Sequence, residues 1–394
     1  MKIFETLSMF ISRSRLSSGL ITFALIILGL FSETTPSAFS SAEAALFILL
    51  ATPYFLLDRL MNNQVYYVCS VLLLLIFLGI IGSMKNDVEF SYLARDLIPF
   101  LFFFTIILIA ALDEENNIII IMYGMLFVGI AFSLRYIFSI DMQLVDIGGK
   151  FFNDKHYLMQ DPACLFAALF SINRMFWCLK KGQLLLTTVF LMISLLITLA
   201  FLLMGIRAAL GITIFYTLIL IWCHVRSNVL ILIINCFFIY CIYMNVWIFE
   251  LIIQKFYDSG LNNKDVEALA IIEYVTAELD TLLLGVGFGG TFYNPVYAEY
   301  IRYTHNFITY NLLKFGIVGL FIATAVLMLH IYILCGKLLN AILHKRIDTY
   351  TSVSLAMIPS MYLQPTFKSL TFGILFSLFL VRGLGIDRRC NTYP

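Results

Sequence analysis

LLLTTVFLMISLLITLAFLLMGIRAALGITIFYTLILIWC, residues 184–223, is apolar along its whole length except at Arg207, near its middle. As one continuous helix, at 1.5 Å rise per residue, it would be about 60 Å long. A bilayer's hydrocarbon core is only about 30 Å thick. The segment therefore has to turn back on itself, and the turn belongs at Arg207, where a guanidinium can reach one membrane face. A pair of antiparallel membrane helices is the simplest structure that accepts it.

The rest of the composition agrees. Of the 394 residues, 61% are hydrophobic and 12% charged, with a mean hydropathy of +0.95. Soluble domains carry about 25% charged residues, so there is too little polar surface to face water all round. The formal net charge is +1, with no basic patch beyond short loop clusters, so nucleic acid is not an expected partner. The eight cysteines lie mostly within apolar runs and form no C-x-x-C pair, and the five histidines are scattered. Neither pattern has the spacing of a disulfide framework or a metal centre, so no metal and no cofactor is expected.

Reading outward from 184–223 gives an all-α, polytopic integral membrane protein of about twelve transmembrane helices. The expected spans are 16–31, 42–57, 65–83, 97–112, 118–138, 161–178, 184–205, 208–223, 229–252, 307–336, 350–365 and 367–382. Together they make residues 1–394 a single transmembrane helical domain. Arg13 and Arg15 at one end, and Arg388 and Arg389 at the other, place both termini in the cytoplasm by the positive-inside rule. On that orientation two polar loops face the opposite side. One is residues 141–160. The larger, 253–306, joins spans nine and ten. It holds a helix-like stretch, Val266–Leu279, whose apolar positions Leu269, Ile272 and Val275 recur at helical spacing. A glycine-rich turn follows at Gly285–Gly290, and then a tyrosine-rich run through Tyr293, Tyr297, Tyr300 and Tyr303 leads to His305.

Chemistry concentrates where the large loop returns to the membrane. Arg302 precedes His305 by three residues, which in a helix would put both on one face. A guanidinium binds phosphate with a two-toothed geometry, and an imidazole can take a proton from a hydroxyl. Anchoring among lipid headgroups explains an interfacial Arg or His equally well. The same two readings stand for Arg207 and Arg135. Lys314, deeper in the following span, is harder to explain by anchoring. Gly316 and Gly319 suggest close helix packing. The tyrosines suit either packing or stacking on sugar rings.

The stretch Thr304-His305-Asn306-Phe307, followed after residues 307–315 by Gly316-Ile317-Val318-Gly319, resembles the signature of the bacterial O-antigen polymerase and O-antigen ligase superfamily. That signature is His followed by Asn, Ser or Gln, nine variable residues, Gly, two more, and Gly, Thr or Tyr. The Leu284-Gly285-Val286-Gly287 turn, Arg207 at a helix end, and about twelve spans with a large outer loop are similar to the family as well. The resemblance implies a metal-independent, inverting glycosyltransferase in the bacterial inner membrane, working on the periplasmic face. Its donor would be an undecaprenyl-pyrophosphate-linked oligosaccharide and its acceptor another glycan. His305 would be the catalytic base, and Arg207, Arg302, Lys264 and Asn306 the substrate-binding residues, with His305 and Arg207 in one outward pocket. Family members often carry Arg and then Trp at the start of the loop helix. This chain has Asn263-Lys264-Asp265-Val266 there, so Lys264 would serve as a point charge.

Within that family the modest loop and the second polar loop favour a surface-polysaccharide polymerase, with a chain-length regulator as a further partner. The alternative is an O-antigen ligase that transfers the glycan to lipid A–core. A polysaccharide flippase or transporter is the rival from another class. It calls for carboxylates deep within the spans, and the spans drawn above are nearly free of them: Glu250 is near an end, and no Asp or Glu sits mid-span.

Overall fold

The computed structural model describes residues 13–32, 63–110, 112, 115–139, 156–224, 263–363 and 365–383. The expected spans 42–57 and 229–252, the first part of the 141–160 loop and both termini lie outside these residues. In chain order the helices are α1 (Arg13–Phe31), α2 (Asn63–Lys85), α3 (Phe90–Leu101), α4 (Thr105–Ala110), α5 (Glu115–Ile137) and α6 (His156–Met159). Then come α7 (Pro162–Lys180), α8 (Leu184–Met204), α9 (Arg207–His224), α10 (Lys264–Thr276) and α11 (Leu279–Leu284). Strands β1 (Phe292–Asn294) and β2 (Glu299–Ile301) form a small antiparallel hairpin, and α12 (Phe307–His344), α13 (Thr349–Tyr362) and α14 (Leu370–Gly383) follow. Among the described residues seven helical stretches are long and apolar enough to cross a membrane. The protein is an all-α membrane protein.

The residues group into two compact units. The first is 1–74, 97–217 and 348–394; the second is 75–96 and 218–347. In the first, α1 packs on α5, α5 on α7, and α7 on both α8 and α13. Small residues permit the closest approaches: a Cβ on Gly129 would stand 2.4 Å from the Ala167 Cβ. Arg135 is a structural cap here, its guanidinium donating to the carbonyls of Gly29 and Ser32 at the end of α1. The turn expected at Arg207 is present. Gly205, at φ +72°, ends α8, with Gly205 N–H bonded to Leu202 O and Ile206 N–H to Phe201 O. Arg207 is the first residue of α9 and is exposed. A glycine takes this left-handed conformation without a Cβ clash.

In the second unit, α10, α11 and the hairpin pack on the first part of α12. The shared core is Ile271, Val275, Val286, Phe292, Ile301, Leu312 and Leu313. This corrects the expected face of the loop helix. The buried positions of α10 are Glu267, Ile271 and Val275, while Leu269 and Ile272 are exposed. A carboxylate occupies one place in the inward stripe, so a pattern built from apolar residues alone selects the wrong side.

Gly316 also differs from expectation. At φ +61° and ψ −148° it breaks α12, and it also lies close against α11, where a Cβ would stand 2.5 Å from Leu282 O. A break releases backbone carbonyls that a continuous helix would satisfy. The glycine turn satisfies two of them, Val286 N–H donating to Leu313 O at 2.8 Å and Gly287 N–H to Lys314 O at 3.1 Å. The fit requires glycine: Gly285 has φ +72°, and a Cβ there would lie 2.4 Å from the Lys314 carbonyl carbon. The far end of the turn is clamped by Lys314, whose buried ammonium meets Asp96 Oδ2 and Gly290 O, each at 2.8 Å. Asp96 also accepts from Gly289 N–H at 2.7 Å. Asp96 falls before the expected span 97–112, but the helical span begins at Phe90, so a carboxylate does lie within it.

Candidate active site

The loop brings a carboxylate to His305. Glu267 stands in the first turn of α10, and His305 stands 38 residues later, between β2 and α12. The imidazole Nδ1 is 2.8 Å from Glu267 Oε2, and the backbone N–H of His305 donates to Glu267 Oε1 at 2.9 Å. Asn294, wholly buried on the inner face of β1, donates its amide N–H to Oε2 at 3.1 Å. The orientation of that amide is fixed, because its oxygen accepts from Val296 N–H at 2.8 Å.

These contacts determine the protonation pattern. A backbone N–H and an amide NH2 can only donate, so both carboxylate oxygens act as acceptors, which favours the ionised form of Glu267. Nδ1 then has to carry the proton it shares with Oε2. Burial works to raise the Glu267 pKa, but the hydrogen bonds from the His305 ring and backbone, its charge and Asn294 outweigh it, and the pKa lies below the usual glutamate value. Nε2 is left with no protein hydrogen bond among the described residues. An imidazole held at Nδ1 by a carboxylate and open at Nε2 is the arrangement of a general base with its orienting partner.

The other expected site residues fall as follows. Arg302 is not helical: it follows β2, and its guanidinium carbon sits 4.0 Å above the Tyr92 ring. Asn306 is the N-cap of α12, its side-chain oxygen accepting from Ile308 N–H at 2.7 Å. Lys264 opens α10, one turn before Glu267. Burial lowers its pKa, and the Glu267 charge partly offsets this. Arg207 belongs to the other compact unit, at the α8–α9 turn. Two tyrosine rings flank the imidazole, Tyr303 edge-on with centroids 5.7 Å apart and Tyr297 at 6.2 Å.

Sequence reasoning missed Glu267 and Asn294. Neither is adjacent to His305 in the chain, and both sit in segments whose pattern suggests only a helix and a tyrosine-rich run. The available signal was a charged residue repeating with Ile271 and Val275 at four-residue spacing. No protein-family model matches this chain, and comparison with curated proteins finds no significant relative.

Proposed function

We propose that this chain is a membrane glycosyltransferase that joins an undecaprenyl-pyrophosphate-linked glycan to an acceptor glycan on the periplasmic face of the bacterial inner membrane, as a surface-polysaccharide polymerase. The observation that carries the reading is the Glu267–His305 pair, a base poised by a buried carboxylate in the loop that precedes α12. The acceptor hydroxyl gives its proton to Nε2 of His305 as its oxygen attacks the anomeric carbon of the donor sugar. The bond from that carbon to the pyrophosphate oxygen breaks on the opposite face, its electron pair leaves with the pyrophosphate, and the sugar's configuration inverts. The negative charge on Glu267 stabilises the imidazolium that forms.

The cationic candidates Arg302 and Lys264, in the same compact unit as His305, suit the pyrophosphate that departs. The Asp96–Lys314 pair, which a transporter could use for ion traffic, is accounted for by its bonds to the glycine turn.

The test is a gene deletion complemented by variants. His305→Ala should give no polymer while the protein remains in the membrane, and normal polymer from that variant would remove His305 from catalysis. The deletion separates the two family activities. Core carrying one repeat unit indicates a polymerase. Bare core beside accumulated lipid-linked polymer indicates a ligase.

A further inference from the structure

The β1–β2 hairpin has two unlike faces. Phe292, Asn294 and Ile301 point inward, to the core and to Glu267, while Tyr293 and Tyr300 are cross-strand partners on the outer face, ring centroids 5.5 Å apart. Tyr293 is 49% exposed and Tyr300 72%, and the two rings beside His305, Tyr297 and Tyr303, are 49% and 42% exposed. A cross-strand tyrosine pair adds little to a sheet, and most of these ring surfaces contribute nothing to it. They are rigid faces with hydroxyls at their rims, held next to the candidate base.

Two kinds of surface could cover such rings: lipid headgroups or a saccharide. Residues 291–305 argue against headgroups. Their exposed side chains are the four tyrosines, Glu299 and the small Pro295 and Ala298, with no exposed long aliphatic chain to enter the acyl region. The neighbouring exposed charges of α10 and α11 include Glu273 and Glu278, while Asp280 is paired with Lys85 at 2.8 Å. Carboxylates are repelled by an anionic bilayer surface, whereas they accept hydrogen bonds from sugar hydroxyls. We infer that Tyr293, Tyr297, Tyr300 and Tyr303 form the acceptor-glycan subsite, on which sugar rings stack so that a terminal hydroxyl reaches His305 Nε2. This inference rests on the glycosyltransferase reading for the role of His305, but saccharide binding can be measured without turnover.

The experiment uses the full-length chain in lipid nanodiscs and, as probe, the repeat-unit oligosaccharide released by mild acid from the host's own lipid-linked glycan. Binding is followed by saturation-transfer NMR and calorimetry. Tyr293→Leu/Tyr300→Leu keeps apolar bulk for a membrane contact but removes the flat ring faces. Its affinity for the probe should fall about tenfold or more, while Tyr297→Phe, which keeps a ring, should bind within about threefold of wild type. In complemented cells the double variant should yield shorter polymer, not none. Unchanged affinity in the double variant overturns the subsite, as does a variant that loses thermal stability in lipid yet binds the probe normally. Tyrosine-dependent binding in a protein whose His305→Ala variant still makes polymer would preserve the subsite and sink the catalytic reading instead.

Discussion

Replacing Glu267 by Gln exchanges one oxygen for an NH2 and leaves the shape of the side chain intact, so its effect isolates the charge and the acceptor. Three donors converge on that carboxylate, at 2.8, 2.9 and 3.1 Å. A glutamine offers one carbonyl oxygen, and the fixed donors of the His305 backbone and Asn294 compete for it. Its NH2 is left facing Nδ1, which can then only accept, and the ring proton moves to Nε2, where a base needs a lone pair. The imidazolium of the transition state also loses its counter-charge. Unit charges about 4 Å apart at an effective dielectric constant of about 20 interact by about 4 kcal/mol, and solvent over the partly exposed ring reduces this to about 2–4 kcal/mol. At about 1.4 kcal/mol per decade, the expected loss in turnover is about 30- to 1,000-fold.

The assay is polymer formed per unit of membrane protein, from purified lipid-linked substrate, with melting measured alongside because orphaned donors cost about 1–3 kcal/mol. The double variant Glu267→Gln/His305→Ala should be no worse than His305→Ala alone, since the carboxylate acts through the ring. Turnover within threefold of wild type in Glu267→Gln, or an additive double variant, would refute the reasoning.

Gly285→Ala should abolish folding of the loop or cut the yield of membrane protein severely, since its Cβ meets the Lys314 carbonyl at 2.4 Å and its φ is +72°; Gly211→Ala, in open space within α9, should be neutral or stabilising by up to about 1 kcal/mol in a thermal melt. Lys314→Met leaves the buried Asp96 carboxylate without its cation and should destabilise by about 3–5 kcal/mol. Adding Asp96→Asn, which still accepts from Gly289, should restore at least half of that loss by the same melt.

Much of the fold was legible because lipid imposes a simple rule on sequence. Seven of the expected spans coincide with long apolar helices within a few residues at most ends, and the reversal at Arg207 followed from length alone. The break at Gly316 was not legible, because glycine serves both close packing and positive φ. Here it does both, the glycine turn bonding Leu313 O and Lys314 O while α11 lies against the break. The site was half legible. His305 announced itself as a titratable group at the end of a polar loop, but Glu267 was hidden because inward carboxylates do not stand out in a periodicity of apolar residues. Asn306, an expected binding residue, caps α12, a common use of asparagine at such a position.

The segment from Gly290 to His305 is stapled at both ends, by Lys314 on Gly290 and by Glu267 on His305. Its middle, apart from the inward Phe292, Asn294 and Ile301, answers to neither staple. Such a cassette can be rewritten at its outward positions without shifting the imidazole by the fraction of an ångström that chemistry would notice. On the proposed glycosyltransferase reading, the outward positions can be exchanged between chains that handle different glycans while the imidazole stays in register.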